Sequence, residues 1–595
     1  MLRLLQATTI TLLLALLAGM PASARPIDWQ SKWSEAAFAQ AAREHKFVLL
    51  DLHAVWCHWC HVMDTTTYAD PAVQAEIEKH YLAVSVDADS DPALTSRYGD
   101  WGWPATIVLK ADGTEIVKRR GYIPPAQMLS LLNAIVADPT PGPSIGAALQ
   151  IADTGATSLG QKQRAALLGS FDNLYDETNA GWGSGHKYVD ASSIEWSFAA
   201  LDAGNQAAIR KIRHTLDANL NLIDPVWGGV YQYSDHIDWK SPHFEKLMSF
   251  QADDLRVYSD AYARWHRPSD LGAAQKIYGY MTKFLSAPDG GFYVSQDADV
   301  SPKVTGHDFY SKDDAARRAI GMPRIDTHEY SRETGWAIRA LCKYYDVTAE
   351  AQALERAKQA ARWALSARGF PGGGFGHAAA KPEAGGPFLD DNVSMTQAFV
   401  ALYRSTGDRE WLHDALATLD FMDAKLRDLR AGYVAAPPPS GGRGVFREPI
   451  RDSAQNAELV SAASMLHHYT GAERPLQVAQ HAMKYLSALA AADSDRLRPE
   501  ILLADHELSV PPIHITVEGN KDDPAARALH AAALRYPSDY LQVDWWDRRE
   551  GKLPDPAITY PVLPRAAAFA CTANACSTPV FDPAELEGRV HAVLN

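Results

Sequence analysis

The sequence predicts a multidomain protein with an α/β domain at its N-terminus, an all-α toroid of paired helices in the middle and a small α/β segment at its end. Three features predict this order: a Cys-x-x-Cys pair between strand-like and helix-like runs, a long series of amphipathic helices separated by glycine–aromatic turns, and short apolar runs after residue 506. A chain of 595 residues, 47% of them hydrophobic, is long enough for two or three buried cores.

Residues 1–24 predict a secretory signal peptide. Arg3 supplies a short positive region, residues 10–17 form an apolar core, and Ala22-Ser23-Ala24 has the small residues of a cleavage site. The apolar run is shorter than the roughly 20 residues that span a bilayer, with a retained membrane anchor as the alternative. We therefore expect an exported protein, periplasmic or secreted, without a stable membrane anchor, in a compartment where disulfides persist.

Net charge and cysteine content exclude some classes of partner and of fold. The formal net charge of −15 disfavours nucleic acid as a partner. Four of the five cysteines fall in two close pairs, and Cys342 lies in a helical pattern where we expect a buried, small apolar side chain. This cysteine content does not predict a disulfide-stapled scaffold, and we expect no cofactor and no bound metal.

The first cysteine pair, Cys57 and Cys60, lies between a predicted strand and a predicted helix. An apolar run at 46–52 predicts a buried strand, residues 74–80 are compatible with a helix, and residues 82–86 again predict a strand. A Cys-x-x-Cys between a strand and a helix is the layout of a thioredoxin-like redox motif. The alternatives are half of a zinc site or a simple packing pair, but no second pair with zinc-ribbon spacing occurs.

The position of each cysteine predicts its role. Cys57 is expected at a helix N-terminus, where unpaired N–H groups and the helix dipole stabilise a thiolate and lower its pKa. His58 could add a second positive partner. Cys60, one turn later, is placed to attack a mixed disulfide formed at Cys57. Cys57 is therefore predicted as the nucleophile and Cys60 as the resolving thiol.

Two further residues fit this interpretation. Asp51 lies six positions before Cys57, where thioredoxins carry a buried acid that accepts the proton of the second cysteine. Trp103-Pro104, before the strand-like residues 105–109, resembles the cis-proline loop that faces the thioredoxin active site. We expect Asp51 to handle a proton and Pro104 to help hold a partner strand.

The domain boundaries follow from changes in composition. We place the thioredoxin-like domain at 25–138, a linker at 139–159 that begins with a Pro- and Gly-rich break, a helical barrel at 160–505, and a C-terminal α/β segment at 506–595. Within the barrel, Leu354, Ala357, Ala361 and Leu365 mark one apolar helical stripe.

Glycine–aromatic turns recur between the barrel helices. Repeats that bury a face only against their neighbours predict a helical array, and turns gathered at one end favour a closed toroid over an open superhelix. The turns are Gly181-Trp182, Gly229-Val230-Tyr231, Gly291-Phe292-Tyr293, Gly374-Phe375 and Gly432-Tyr433.

The C-terminal segment predicts a small β-α-β unit followed by Cys571 and Cys576. Four small or turn-prone residues separate these cysteines, a spacing that allows a second disulfide. So short a loop stabilises little, because it removes little chain entropy. The pair is therefore a candidate relay to the first cysteine pair, with a local clip on the C-terminal tail as the alternative.

Several motifs resemble one family across nearly the whole mature chain. The sequence is similar to the spermatogenesis-associated protein 20-like family and its bacterial relatives, which fuse a thioredoxin-like domain to a barrel like that of N-acylglucosamine 2-epimerases. The resemblance implies a six-hairpin (α/α)6 barrel of the epimerase or six-hairpin glycosidase kind. The matching segments are residues 57–63, residues 242–246 with Gln251, residues 290–293 with 297–299, residues 389–391, and residues 571–579.

Polar residues of these barrel motifs form a second candidate site. If the glycine–aromatic turns share one barrel mouth, acids, a histidine and lysines converge among aromatic rings, a combination that suits a sugar ring. The alternative is helix capping and a buried ion-pair network. Metal binding by His243 with nearby acids is a weaker third interpretation. The candidate residues are Lys187, His243, Glu245, Lys246, Asp297, Asp299, Asp390 and Asp391.

Three hypotheses for function follow. The first is an exported thiol–disulfide oxidoreductase that acts on a protein thiol or disulfide partner. The second is a carbohydrate-active epimerase-like or glycosidase-like barrel with an accessory redox domain. The third is a protein whose barrel binds a sugar or a partner while the dithiol senses redox state. Loss of all activity in a Cys57→Ser variant would favour the first.

Overall fold

The structure is a computed structural model that describes residues 26–146, 149–380, 386–438, 444–572 and 575–594. The predicted signal peptide at 1–24 lies outside these residues. By its internal contacts the chain divides into two units, one of residues 1–88, 98–147 and 438–448 and the other of residues 89–97, 148–437 and 449–595. Across the described ranges, no helix is both long enough and apolar enough to cross a bilayer.

The first unit is built on a four-stranded mixed sheet with the strand order β2-β1-β3-β4. Strand β1 runs parallel to β2 and antiparallel to β3, which pairs antiparallel with β4. The strands are β1 (Phe47–His53), β2 (Tyr81–Asp87), β3 (Ala105–Leu109) and β4 (Glu115–Arg120). The helices are α1 (Glu35–Glu44), α2 (His58–Thr66), α3 (Pro71–His80), α4 (Pro92–Tyr98), most of which groups with the second unit, and α5 (Pro125–Ala137).

Burial explains why these runs form the sheet. Residues 48–52 of the central strand β1 and all of β3 are buried, as expected for continuous apolar strands covered on both faces. Residues 438–448 also belong to this unit, where the ring of Phe446 lies 5.1 Å from that of Phe38. The strands predicted at 46–52, 82–86 and 105–109 are present, and the motif between β1 and α2 has the layout predicted from the sequence.

The second unit is mainly helical. Its short strands are β5 (Tyr233–Ser234), β6 (Pro242–His243), β7 (Lys246–Leu247), β8 (Ser295–Gln296) and β9 (Ile325–Asp326). Its helices in chain order are α6 (Gln161–Asn173), α7 (Ala191–Asp202), α8 (Ala208–Asn219), α9 (Met248–Trp265), α10 (Pro268–Phe284), α11 (Gly306–Tyr310), α12 (Asp314–Ile320), α13 (Ser331–Thr348), α14 (Ala351–Ala367), α15 (Leu389–Thr406), α16 (Arg409–Lys425), α17 (Ser453–Thr470), α18 (Glu473–Ala492) and α19 (Pro499–Ser509).

Six of these helices close into an inner ring. Helices α7, α9, α13, α15, α17 and α19 each contact the next, and α19 contacts α7 again. Each inner helix also packs against an outer one: α8, α10, α14, α16 and α18 on the first five and α6 on α19. The ring closes, so the middle of the chain is the predicted (α/α)6 toroid and not an open superhelix.

The glycine–aromatic turns each follow an outer helix and precede an inner one. They therefore gather at the N-terminal ends of the inner helices, as the sequence predicted. Gly229 shows why glycine is needed: its φ is 76°, and a Cβ there would lie 2.6 Å from ring atoms of Tyr280.

The C-terminal residues form a small three-stranded sheet with the order β11-β10-β12. Strand β10 is parallel to β11 and antiparallel to β12. The elements are β10 (Ile513–Glu518), α20 (Pro524–Leu534), β11 (Leu541–Trp546), β12 (Ala567–Cys571) and α21 (Leu586–Leu594). Ile515, Leu529, Val543 and Val590 belong to its separate apolar core.

Candidate redox site and a charged cavity

Cys57 and Cys60 form a disulfide at the N-terminus of α2. Strand β1 ends at His53, a short turn follows, and Cys57 occupies the N-cap position of the helix. The N–H of Cys60 donates to Sγ of Cys57 over 3.1 Å. The same N–H groups and the helix dipole would stabilise a thiolate at this position after reduction. The predicted placement of Cys57 at the start of a helix is confirmed.

A tryptophan precedes each cysteine of the disulfide in the sequence. Cys57 and Cys60 are buried, at 4% and 2% exposure, whereas Trp59 between them is 44% exposed. The ring of Trp56 lies 5.9 Å from that of Trp103, and the Trp103–Pro104 peptide is cis, as the sequence predicted. The role of Pro104 in holding a partner strand stays a prediction. Trp59 is therefore an exposed aromatic side chain next to the disulfide in the sequence.

Asp51 is buried in β1 and is hydrogen-bonded from two sides. The Tyr68 hydroxyl donates to its Oδ1 over 3.1 Å, and the Ser85 hydroxyl lies 3.3 Å from its Oδ2. The Ser85 oxygen is also 3.0 Å from Nδ1 of His53, which in turn lies 3.6 Å from Asp51. The acid predicted from the sequence is therefore joined to a titratable histidine on the same strand.

The surroundings of His53 favour its charged form. Burial alone would lower the pKa of His53, but hydrogen bonding and attraction to Asp51, with Asp87 and Asp64, raise it above its usual value. Burial and repulsion from Asp51 raise the pKa of Asp64. His53, Asp64, Tyr68 and Ser85 line a cavity of about 520 Å³ on this side of the first unit.

The remaining cysteines lie in the second unit. Cys571, at the end of β12, is bonded to Cys576, and its sulfur lies 3.4 Å from the Tyr560 hydroxyl. A relay from this pair to the first stays a prediction. Cys342 is a buried free thiol in α13, and burial raises its pKa well above the usual range, as expected for a packing residue.

The first group of predicted barrel residues lies around the short strands. Lys187 is fully buried, donates to the Gly183 carbonyl over 2.8 Å and pairs with Asp176 at 3.0 Å. His243 stacks on the Tyr233 ring at 4.3 Å. Its Nδ1 lies 3.7 Å from the buried carboxylate of Glu245.

Lys246, Asp297 and Asp299 have structural contacts nearby. Lys246 is fully buried, its Nζ lies 2.8 Å from Oδ2 of Asp224, and burial lowers its pKa to about 8. The N–H of Asp299 donates to Asp297 over 3.1 Å, and Asp299 accepts from Gly306 over 2.7 Å. Ion pairing and turn capping account for these contacts.

Asp390 and Asp391 lie in a different cluster at the start of α15. Asp390 pairs with Arg332 at 3.5 Å, and burial raises its pKa to about 7 against the attraction of that arginine. Asp391 accepts from the N–H of Arg332 over 2.9 Å and lies 2.9 Å from Nδ1 of His377. The eight predicted residues thus occupy separate ion-pair and capping networks, and carbohydrate binding at them stays a prediction. No cluster of His, Cys, Asp and Glu that could hold a metal ion occurs within the described ranges.

A cavity of about 490 Å³ inside the ring was not predicted from the sequence. Residues from all six inner helices line it, together with residues 511, 513 and 538–540 of the C-terminal segment. Its lining is rich in charge, including Glu195, Arg256, Arg339, Glu458 and Glu507. The available signal was ionisable residues in the middle of amphipathic helices, but which of them share one cavity depends on the rotation of each helix in the ring.

Comparison with known proteins supports the assignment of the first domain. Residues 20–136 match the model of a family named Thioredox_DsbH and described as a protein of unknown function, DUF255. Over 313 residues the chain is 25% identical to spermatogenesis-associated protein 20 of Mus musculus. Part of the chain is thus similar in sequence to the spermatogenesis-associated protein 20 proteins. The aligned region covers 47% of this chain and 39% of the mouse protein, so the match spans about two fifths of that relative.

Two further relatives are similar to parts of the chain. An uncharacterized protein of Caenorhabditis elegans, B0495.5, is 29% identical over 309 residues, which cover 47% of this chain and 42% of that protein. Thiol:disulfide interchange protein DsbD 1 of Pseudomonas aeruginosa is 35% identical over 105 residues, which cover 16% of this chain and 17% of that protein.

Solved structures resemble the helical unit. A D-mannose isomerase matches with a TM-score of 0.43 at 12% identity, covering 59% of this chain and 96% of that one. Cellobiose 2-epimerase of Bacillus thermoamylovorans matches with a TM-score of 0.42 at 12% identity, covering 55% and 86%. Similarity at this level concerns the fold alone.

Proposed function

We propose that this chain is an exported thiol–disulfide oxidoreductase that exchanges disulfides with a protein partner through Cys57 and Cys60. The observation that carries the proposal is the disulfide itself, with Cys57 at the N-cap of α2 and Cys60 one turn later in a thioredoxin-like domain. The similarity of a 105-residue part of the chain to a thiol:disulfide interchange protein supports it. Export rests on the predicted signal peptide.

The exchange proceeds in two balanced steps when the dithiol is the reductant. The Cys57 thiolate attacks one sulfur of the partner disulfide, which forms a mixed disulfide and releases the other partner sulfur as a thiolate. The Cys60 thiolate then attacks Sγ of Cys57, forms the Cys57–Cys60 disulfide and releases the second partner thiolate. The partner gains two electrons and the dithiol loses two. The same steps in reverse oxidise a partner dithiol.

The chain's own residues determine how easily these steps occur. The N-terminal N–H groups of α2 stabilise the Cys57 thiolate as attacker or leaving group. The Cys60 thiol must lose a proton before it attacks. Because Cys60 is buried, that proton needs an acceptor inside the domain. Asp51 is the buried acid that we assign to that proton, with His53 linking Asp51 to the cavity on this side of the first unit.

Reduction of a model protein disulfide by the pre-reduced full chain tests the proposal. The wild type should reduce it in a stoichiometric burst, and both Cys57→Ser and Cys60→Ser should abolish net reduction. Cys342→Ala is the matched control, because it removes a thiol but keeps both cysteine pairs. Full activity in Cys57→Ser would overturn the proposal.

The order of alkylation tests the assigned roles. In the reduced protein, Cys57 should react first with iodoacetamide, with a pKa below the roughly 8.5 of a free cysteine. If Cys60 reacts first, or if Cys57 titrates as a free thiol does, the roles of nucleophile and resolving thiol are wrong.

A further inference from the structure

The cavity inside the helical ring contains some charged side chains that are paired with an opposite charge and others that are not. It has a volume of about 490 Å³, within the range of small-molecule sites. Four cationic side chains and several carboxylates line it. The carboxylates fall into two classes, those paired with a cation and those without one.

All four cationic side chains have carboxylate partners. Arg256 pairs with Glu195 and with Asp253, and Arg339 lies 3.9 Å from the same Glu195. Arg339 also donates to Oε1 of Gln397 over 3.3 Å. The other two pairs are Lys343 with Asp260 and Asp539, and Arg404 with Asp346 at 2.9 Å. A bound anion would therefore have to compete with carboxylates already in place.

Glu458 of α17 and Glu507 of α19 form the second class. Among the residues that the structure describes, neither has a cation within 4.0 Å. Oε2 of each is buried and lacks a hydrogen-bond partner within the same residues. Glu507 is only 8% exposed, and both side chains line the cavity. An ionised carboxylate without a nearby cation is costly to bury, so a positive group at these two side chains would stabilise their charged form.

The charges around the two carboxyls strengthen this conclusion. Burial, with repulsion from Asp390 and Asp253, raises the pKa of Glu458 to about 8 against the attraction of Arg339 and Arg256. The ionised form of Glu458 is therefore the one that lacks stabilisation.

The same holds for Glu507 on the adjacent inner helix. Burial raises its pKa to about 7, with repulsion from Glu195 and Asp539 and against a hydrogen bond from Ser461 and the attraction of Arg339. A ligand that brings positive charge into the cavity would lower both pKa values and drive a proton off.

We propose that the cavity inside the ring binds a small organic cation bearing a primary ammonium group, with Glu458 and Glu507 as its counter-charges. This site is independent of the redox chemistry, and its two counter-charges are not among the barrel residues singled out in the sequence. An ammonium has three donors and a full charge, which match two carboxylates on adjacent helices. A neutral polyol offers hydroxyls but no charge to stabilise the ionised carboxyls.

Calorimetry on the oxidised full chain tests the proposal, with putrescine as the cationic probe and butanediol of the same length as the neutral control. Putrescine should bind, and titrations in buffers of different ionisation enthalpy should show proton release at about pH 7. Because the ionised carboxyls bind the cation, affinity should rise from about pH 6 to about pH 8.5, where alkyl amines are still charged. Equal binding of butanediol, or no binding of putrescine, would overturn the proposal.

Variants locate the site. Glu458→Gln should weaken putrescine at least about tenfold and reduce the proton release, because it removes one counter-charge. Glutamine keeps the size of the side chain and its capacity for hydrogen bonds, so the unfolding transition should be retained. Glu507→Gln is the second variant should the first fail to fold, and Glu355→Gln on the exposed side of α14 is the control. Wild-type affinity in both cavity variants would contradict the assignment.

Discussion

The Nδ1 atom of His53 lies 3.6 Å from Oδ2 of the buried Asp51, and the Ser85 hydroxyl stands between the two side chains. A carboxylate in the interior of a sheet exchanges protons slowly unless a titratable group connects it to water. His53 is partly exposed and lines a cavity, so it can make that connection. This arrangement leads to two predictions about pH.

Asp51→Asn should slow the step in which Cys60 resolves the mixed disulfide. The amide keeps the size of the side chain but cannot accept the Cys60 proton, and loss of a positioned general base costs on the order of 100-fold or more in rate. Single-turnover release of a reduced partner, followed against pH, is the measurement. The deficit should shrink as pH approaches the intrinsic pKa of the Cys60 thiol, and a rate equal to the wild type at neutral pH would exclude Asp51 from proton transfer.

His53→Gln should change how stability depends on pH. The folded-state pKa of His53 is raised, so its charged form stabilises the fold below the unfolded pKa of about 6.5, and this contribution is lost as pH rises through the folded pKa. The variant should therefore be less stable than the wild type at acidic pH, by under about 1 kcal/mol for a partly exposed pair, and equal to it at alkaline pH. Denaturant unfolding at several pH values measures this, and a difference that grows with pH would contradict it.

The amino-acid sequence predicts the thioredoxin-like site well because its signals are local. A Cys-x-x-Cys, an acid six residues earlier and an X-Pro before a strand all keep fixed positions on one small sheet. The toroid was predictable from turns that recur between amphipathic helices. The cavity at Glu458 and Glu507 was not, because it combines residues from six helices, and their relative rotation depends on packing around the whole ring.

The contrast between local signals and long-range packing also explains why the contacts of the residues predicted at the barrel mouth were not predicted. Motif positions such as Lys246 and Asp390 stand out in the sequence, but the sequence does not indicate their partners. The structure places Lys246 against Asp224 and Asp390 against Arg332, more than a turn of helix away in sequence. Buried ionic residues at turns are hard to assign from sequence, since structural ion pairs and functional acids use the same side chains.

Asp224→Asn should destabilise the toroid strongly. Asp224 accepts from both Lys246 and Arg317, and all three side chains are fully buried. Removing the only carboxylate of this triad leaves two buried cations, which costs about 3–5 kcal/mol. The loss should be smaller above pH 8, because the pKa of Lys246 is lowered to about 8 and the amine can become neutral.

Denaturant unfolding of the full chain measures this effect, with Glu355→Gln as a control at an exposed ion pair. The control should unfold at the same denaturant concentration as the wild type, because exposed ion pairs contribute little to stability. If Asp224→Asn also unfolds at the same denaturant concentration as the wild type, the triad of Asp224, Lys246 and Arg317 does not stabilise the fold.

The Cys571–Cys576 disulfide has two alternative roles, a local clip on the C-terminal tail or a relay to the Cys57–Cys60 pair. As a local clip it should contribute little stability, because its loop is short. As a relay it should speed reduction of the Cys57–Cys60 disulfide by an external dithiol. A Cys571→Ser, Cys576→Ser double variant should then show slower reduction at Cys57–Cys60, or a shifted midpoint in a redox titration. Unchanged rate and midpoint would leave only the clip.

Covalent capture of the partner tests the central claim most directly. In a Cys60→Ser variant the second exchange step cannot occur, so the mixed disulfide at Cys57 should accumulate. We predict a partner protein that is linked through Cys57, is released by a reducing agent, and is absent in a Cys57→Ser, Cys60→Ser double variant. Exported protein extracts resolved without reductant and analysed by mass spectrometry give the measurement. An adduct that survives in the double variant, or no adduct at Cys57 in the single one, would contradict the assignment of this protein as a thiol–disulfide oxidoreductase.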